Sequence, residues 1–335
     1  MASLLMDRLS DQRVEQLLDA AREVRALVVG DLMLDRYVTG AVDRISPEAP
    51  VPVVRVESES SAVGGAANVA HNVVALGARC DVVGVIGRDG GGTLLKRELG
   101  LLGIGAKGLV TAEDRPTTVK TRVLARRQQV VRYDHEVDAD VAPDVVTALA
   151  RAFVELADTA DVLVIEDYNK GVVVPEVVEA VLRAGRAVGV PTVVDPKRHR
   201  FFGFAGATVF KPNAKELADA LGEPIRPGDP GWMEAVRVRA GCDHLLVTLG
   251  EQGMALRTAE GEYVRIPAVA RSVYDVSGAG DTVTAVLGTM LGAGASAVEA
   301  AILANHAAAI EVAEAGVATV SRDEILEHYH AFQIR

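Results

Sequence analysis

The chain has 335 residues and a formal net charge of −11 at pH 7, which argues against nonspecific binding to nucleic acid or to an anionic membrane. Hydrophobic residues make up 49% but aromatic ones only 4%, so aliphatic side chains and alanine must supply the core, as buried parallel strands and helix-covered faces require. Cys80 and Cys242 lack metal-ligand spacing and point to a reduced, cytoplasmic compartment, the N-terminus has no signal-peptide core, and the apolar segment 297–313 is interrupted by Glu299, Asn305, His306 and Glu311, which suits a buried helix rather than a membrane span.

From about Leu4 to Val24, the residues Val14, Leu17, Leu18 and Ala21 share one side, which predicts an amphipathic packing helix. Arg25–Gly30 is a short buried strand that runs into Asp31, with Asp35 close behind. Carboxylates just past the C-terminal end of a parallel strand lie where open α/β sheets take ligands, and sugar hydroxyls suit them. The alternative for Asp31 is a turn cap. The prolines within Arg44–Val53 exclude a central strand and predict a kinked loop leading to an edge strand. Gly64 and Gly65 then open a helix with Val69, Val73 and Leu76 as its face and Gly77 as its stop. The paired glycines permit close approach of a ligand, and Asn68 offers a hydroxyl both a donor and an acceptor.

Cys80–Ile86 is a second buried strand, and the glycine-rich stretch after it starts a helix ending near Leu102. Between Gly108 and Glu136 the period becomes two: Val119, Thr121 and Val123 alternate with Lys120, Arg122 and Leu124. This predicts a small antiparallel sheet, and with it a lid built from segments of about 37–57 and 108–136. From Ala142 onward, strands at 162–165, 191–194, 207–210 and 245–248 each end in polar residues: Glu166 and Asp167, Asp195 and Lys197, Lys211 and Asn213, Thr248 and Gly250. That regularity implies an α/β fold with one parallel sheet and one ligand-binding edge, in a single domain over 1–335.

Near the C-terminus Gly278, Ala279 and Gly280 directly precede Asp281, after which Val283, Val286, Leu287 and Met290 mark one helix face. The small residues therefore fall where a helix begins, and its free N–H groups and dipole make an anion site. A carboxylate there would repel phosphate, so it needs a reason to be there, and taking a proton from a hydroxyl that attacks phosphorus supplies one. The plainer alternative is a glycine-rich turn with Asp281 as an ordinary helix-start residue.

Val273–Thr282 resembles the C-terminal signature of the ribokinase-like (PfkB) sugar kinases. In that family the Asp at this position is the catalytic base, and the preceding small residues form the anion hole. The resemblance runs from about Leu27 to Ser321. It rests on Gly30-Asp31, Gly64-Gly65 with Asn68, Asn213 with Glu216, and Gly278–Asp281, in that order. It implies a ribokinase-like three-layer α/β sandwich with a mostly parallel central sheet and a small β-sheet lid, ATP with Mg²⁺, and a homodimer formed through the lid. The sugar side would be built from Asp31, Asp35, Gly64, Gly65 and Asn68, with Asp167 and Lys170 after a later strand. The nucleotide side would be built from Lys197, Asn213, Lys215 and Glu216, then Thr248, Gly250 and Gly253, with Asn305 facing the base or serving as a buried structural amide. Asn213 and Glu216 lie at i and i+3, near one helix face, and Glu216 is expected to hold Mg²⁺ partly through water. Asp275 is expected either to hold a monovalent cation such as K⁺ or to cap its own loop.

Gly30–Arg36, Arg44–Val53, Arg122–Gln129 and Asp167–Gly171 look more specifically like the heptose 7-phosphate kinases. Those enzymes phosphorylate the anomeric hydroxyl of D-glycero-β-D-manno-heptose 7-phosphate with ATP, on the route to ADP-heptose. Lys120, Arg122, Arg126 and Arg132 fall within thirteen residues and are expected to grip the 7-phosphate; a solvated basic sheet edge is the alternative. Many relatives carry a second, nucleotidyltransferase domain, whereas this sequence has no His-x-Gly-His motif, so a stand-alone kinase is expected. Two departures from the family pattern stand out. Arg127 replaces a turn-favouring residue, and Arg198-His199-Arg200 replaces the glycine that usually follows the Asp195–Lys197 stretch. A kinase for another sugar is the nearest alternative. An inactive sugar-binding protein is disfavoured because Asp281, Asn213 and Glu216 are all present.

Overall fold

Ala26–Gly30 are all buried, so their strand offers water neither face. Strand β1 (Arg25–Gly30) pairs in parallel with β4 (Arg79–Gly87) on one side and β8 (Val162–Glu166) on the other. The computed structural model describes residues 9–126, 128–270, 273–314, 316 and 318–333. The expected helix start near Leu4 and the departure at Arg127 lie outside the described residues.

The sheet continues past β4 to β5 (Gly105–Ala112), and past β8 to β9 (Thr192–Asp195), β10 (Val209–Phe210) and β11 (His244–Thr248), all in parallel. A hairpin, β12 (Met254–Arg257) and β13 (Tyr263–Ile266), adds antiparallel strands at the far edge, giving nine strands among the described residues. The sequence reading missed this hairpin.

Alternate strand residues feed two cores. Val28, Val82, Val164 and Val193 pack beneath α1 (Asp11–Ala20), α2 (Ala66–Ala75), α3 (Gly90–Leu101), α8 (Ala279–Gly292), α9 (Ala297–Glu311) and α10 (Arg322–Gln333). Leu27, Val29, Leu163 and Ile165 pack on the other face against α4 (Pro143–Ala157), α5 (Pro175–Val188), α6 (Ala214–Leu221) and α7 (Pro230–Ala240). The result is the expected three-layer sandwich.

The second sheet has the order β3–β2–β6–β7, with β2 (Leu32–Ile45), β3 (Pro52–Gly65), β6 (Thr118–Ala125) and β7 (Gln128–His135). Two features differ from the sequence expectation. β2 and β6 pair in parallel, so the lid is mixed rather than purely antiparallel. Gly108–Ala112 belong to β5 of the main sheet, so the lid does not begin at Gly108. A period of two fixes which face a residue occupies, but neither strand direction nor sheet membership.

Candidate active site

Helix α8 starts after Gly278, whose φ of 98° is left-handed backbone that glycine adopts without a steric penalty. Asp281 lies in its first turn and is only 5% exposed. The Asn68 amide donates to its Oδ2 at 2.7 Å, and the Tyr168 hydroxyl donates to its Oδ1 at 2.7 Å. Burial raises the Asp281 pKa, the two donors oppose that, and the nearby Asp195 pushes it further up. A desolvated carboxylate beside a helix N-terminus, held on both oxygens, is arranged to accept a proton. Asn68, expected to meet a sugar hydroxyl, spends an amide N–H on Asp281. Its helix follows Gly65 at φ 58°, where an added Cβ would sit 2.4 Å from the Asp31 carbonyl oxygen, so the glycine serves the chain geometry.

Tyr168 carried no role in the sequence reading. It is set in place by Asp31, whose carboxylate accepts from the backbone N–H groups of Tyr168 at 2.7 Å, Lys170 at 3.0 Å and Val172 at 3.1 Å. The turn-capping alternative for Asp31 is therefore the one its hydrogen bonds describe. Asp167 accepts from Asn169 N–H at 2.7 Å and is pushed up to about 7, chiefly by burial. Lys170 points back to Glu136 at 2.7 Å and Asp138 at 2.6 Å.

The strand ends bring a second group of charges under Asp281. Glu166 and Asp195 are register partners on β8 and β9. Oxygens of Glu166, Asp195 and Asp281 lie within 4.8 Å of one another, all buried. Asp195 is satisfied by Lys211 at 2.9 Å and Lys197 at 3.2 Å. Lys197, whose pKa is raised mainly by Asp195 and Glu166 against the cost of burial, also meets Glu216 at 3.0 Å and lies 4.9 Å from the Tyr168 ring centre. Glu216 and Asn213 form a capping box, with Asn213 Oδ1 accepting from Glu216 N–H at 2.8 Å and Glu216 accepting from Asn213 N–H at 2.9 Å. Both Glu216 oxygens are thus engaged within the protein, and Glu216 as it stands fits poorly as a direct Mg²⁺ ligand. Glu166, Lys211 and Asp195 were visible in the sequence as polar strand ends, but no role was drawn from them.

In the lid, Asp35 pairs with Arg122, whose guanidinium carbon lies 5.5 Å from the centre of the Tyr37 ring. Lys120 meets Glu136 at 2.7 Å and Asp134 at 3.4 Å, and Arg132 meets Asp134 at 2.9 Å. Arg126 is exposed, with φ 57° at the turn after β6, and donates its backbone N–H to the Gly40 carbonyl at 3.1 Å. Each of the other three basic residues expected at a phosphate already faces a carboxylate. Gly64 lies close to Asp35, where an added Cβ would sit 2.8 Å from a carboxylate oxygen.

Around the expected nucleotide edge, Thr248 bridges to Asn213 in parallel. Gly250 faces open space, whereas a Cβ at Gly253 would sit 2.1 Å from the Ile266 carbonyl, so Gly253 permits the hairpin rather than a ligand. Lys215 is exposed and pairs with Asp219 at 2.9 Å. Asn305 donates to the Pro267 carbonyl at 2.9 Å, the structural task of its two expected roles. Asp275 accepts from Ser277 N–H at 2.9 Å, as a loop cap does. The unusual basic triplet ties loops together: Arg200 meets Asp140 at 2.6 Å, and His199 N–H donates to Asn169 at 3.0 Å.

The chain is 44% identical over 321 residues to the bifunctional protein HldE of Citrifermentans bemidjiense, covering 94% of this chain and 65% of that protein. It is 42–44% identical to proteins of the same name from Geotalea uraniireducens and Geobacter metallireducens, again over 94% of this chain and 65% of theirs. The chain thus spans less than two-thirds of the length of these relatives. Among solved structures, ribokinase of Arabidopsis thaliana complexed with ribose and ATP superposes with a TM-score of 0.72 at 22% identity, covering 92% of this chain and 99% of that one. Phosphofructokinase-2 from Escherichia coli in complex with potassium gives 0.75 at 20% identity, covering 93% and 99%. These two likenesses establish a ribokinase-like fold. The description "pfkB family carbohydrate kinase" matches residues 25–324, nearly the whole chain, and the protein therefore belongs to the pfkB family of carbohydrate kinases.

Proposed function

We propose that this kinase transfers the γ-phosphoryl group of ATP to the anomeric hydroxyl of D-glycero-β-D-manno-heptose 7-phosphate, giving the 1,7-bisphosphate used to make ADP-heptose. The observation that carries the transfer chemistry is the double anchoring of buried Asp281 at the start of α8. The sugar hydroxyl gives its proton to the Asp281 carboxylate as its oxygen bonds to phosphorus, and the bond from phosphorus to the β,γ-bridging oxygen breaks to release ADP. The N–H groups around Gly278–Gly280 face the transferring phosphoryl group. Mg²⁺ bound with ATP would supply charge neutralisation on the phosphates. A monovalent cation at Asp275 would order the loop behind the anion hole. Similarity to proteins named HldE over 94% of the chain supports the heptose substrate. A cytoplasmic homodimer fits the lid, whose exposed Val42, Val56, Val131 and Tyr133 favour cover.

A second reading, a kinase for an unphosphorylated sugar, is favoured by one observation: Arg122 and Lys120 are already paired with Asp35 and Glu136. The test is kcat/KM for heptose 7-phosphate against unphosphorylated heptose, ribose and fructose 6-phosphate, repeated with Arg122→Ala. Two charge-assisted hydrogen bonds at about 1.5–3 kcal/mol each should favour the phosphorylated heptose roughly a hundredfold or more, and Arg122→Ala should erode that preference. Equal efficiency on the unphosphorylated heptose rejects the heptose-phosphate reading.

A further inference from the structure

We propose that Tyr168 selects the acceptor: its phenol caps Asp281 in the sugar-free enzyme, so that the hydroxyl of a bound sugar reaches the base and free water does not. The proposal rests on Asp281 as the base and holds whichever sugar is phosphorylated. Water is the competing acceptor, since it carries the same O–H and far outnumbers the sugar. Hydrolysis would follow the same course as transfer. The water oxygen bonds to the γ-phosphorus, its proton passes to the Asp281 carboxylate, the bond to the β,γ-bridging oxygen breaks, and inorganic phosphate and ADP leave.

The cap is assembled from distant parts of the chain. Tyr168 lies two residues past the end of β8, and its hydroxyl donates to Asp281 Oδ1 at 2.7 Å. Asn68 donates to Oδ2 at 2.7 Å, and Asp281 is only 5% exposed. Each oxygen of the base therefore meets a protein donor before it meets solvent. The phenol does not act as a base in its own right. Burial, with Asp281 and Glu166 adding to it, raises the Tyr168 pKa well above the ordinary tyrosine value, so it stays a donor.

The phenol is also tethered. Tyr168 N–H is fixed on Asp31 Oδ2 at 2.7 Å, and the N–H groups of Lys170 and Val172 hold the same carboxylate. The Lys197 ammonium lies over the ring, 4.9 Å from its centre. A donor held in this way competes for Oδ1 as an intramolecular group, an advantage that a free water lacks. A sugar hydroxyl shares the advantage, because the other contacts of the sugar hold it at the base. A carboxylate oxygen offers two lone pairs, so the delivered hydroxyl takes the second or displaces the phenol. Tyr168→Phe removes the phenol oxygen alone. It leaves a hydroxyl-sized space against a charged acceptor, beside a half-buried residue that solvent adjoins.

The experiment measures release of inorganic phosphate from ATP by the full chain with Mg²⁺ and no sugar, and sugar phosphorylation by the same preparations. Both are read between about pH 7 and 9, so that protonation of the base is not mistaken for loss of the cap. In Tyr168→Phe, hydrolysis should rise at least about tenfold, the weight of one hydrogen bond to a charged group, while sugar phosphorylation does not rise. A merely structural tyrosine would lower both rates together. Adding Asp281→Asn to Tyr168→Phe should abolish the gained hydrolysis, and its survival there overturns the proposal. Circular dichroism checks folding. If Tyr168→Phe does not fold, Asp31→Asn, which loosens the clamp on residue 168 but keeps the phenol, is the second variant; the ratio of hydrolysis to sugar phosphorylation should rise, and an unchanged ratio overturns the proposal. Unchanged or lowered hydrolysis in folded Tyr168→Phe overturns it as well. The base reading fails separately, through near-normal sugar phosphorylation by Asp281→Asn.

Discussion

Asp31→Asn separates a ligand-binding carboxylate from a structural one. Asp31 is 1% exposed, and its Oδ2 accepts from Tyr168 and Lys170 N–H while Oδ1 accepts from Val172 N–H. An asparagine can keep an oxygen toward only one side. Turned toward Tyr168 and Lys170, it sets its NH₂ against Val172 N–H and leaves a buried donor unsatisfied, at about 1–3 kcal/mol. The two remaining bonds lose a carboxylate acceptor, so a total of about 2–4 kcal/mol is expected. Unfolding entropy of about 2.1 cal/mol/K per residue gives roughly 0.7 kcal/mol/K for this chain of 335 residues. The expected fall in Tm is therefore about 3–6 °C.

Activity should respond through Tyr168. A looser 167–172 turn weakens the hydroxyl that holds Asp281 Oδ1 at 2.7 Å. A loss of about 1.4 kcal/mol there lowers kcat about tenfold, while KM for the sugar changes little. Calorimetry and steady-state kinetics on one preparation read both effects. An unchanged Tm together with a large rise in sugar KM would refute the reasoning and return Asp31 to the sugar.

The contrast between Asp281 and Asp31 shows what the sequence could and could not carry. The start of α8 was legible because the small residues and the apolar face after them are adjacent along the chain. The Asp31 partners lie 137, 139 and 141 residues away, and converge only when β1 and β8 pair. Local reading saw a carboxylate at a strand end and could not see that three amides use it. Asn213 and Glu216 are ambiguous for a different reason. Their spacing is also that of a capping box, so one pattern admits two meanings, and only the hydrogen bonds separate them. For Glu166 the informative fact is that its buried carboxylate has no hydrogen-bond partner among the described residues. That depends on Lys197 and Lys211 both choosing Asp195, a competition among side chains of three strand ends.

Asp281→Asn should lower turnover roughly 10²–10⁴-fold, while its Tm does not fall: the amide can accept from Asn68 and donate to the Tyr168 oxygen. Near-normal turnover in the purified variant would remove Asp281 as the base. Stability should also fall in acid through His306. This residue is buried in α9 against Tyr329 and His328 of α10, with its Nδ1 2.9 Å from that of His328. Burial, with His328 adding to it, lowers its pKa from 6.5 to about 3. Between those values the unfolded chain binds a proton that the folded chain refuses. The contribution is therefore fully present above about pH 6.5 and is lost as pH falls toward about 3. At pH 5 the loss is about 2 kcal/mol, or roughly 3 °C in Tm. His306→Leu removes the titrating ring, so whatever its Tm near neutrality, its decline toward pH 5 should be shallower than wild type by about that amount. Parallel declines in the two proteins would show that acid sensitivity arises elsewhere and that the α9–α10 contact tolerates a charged His306.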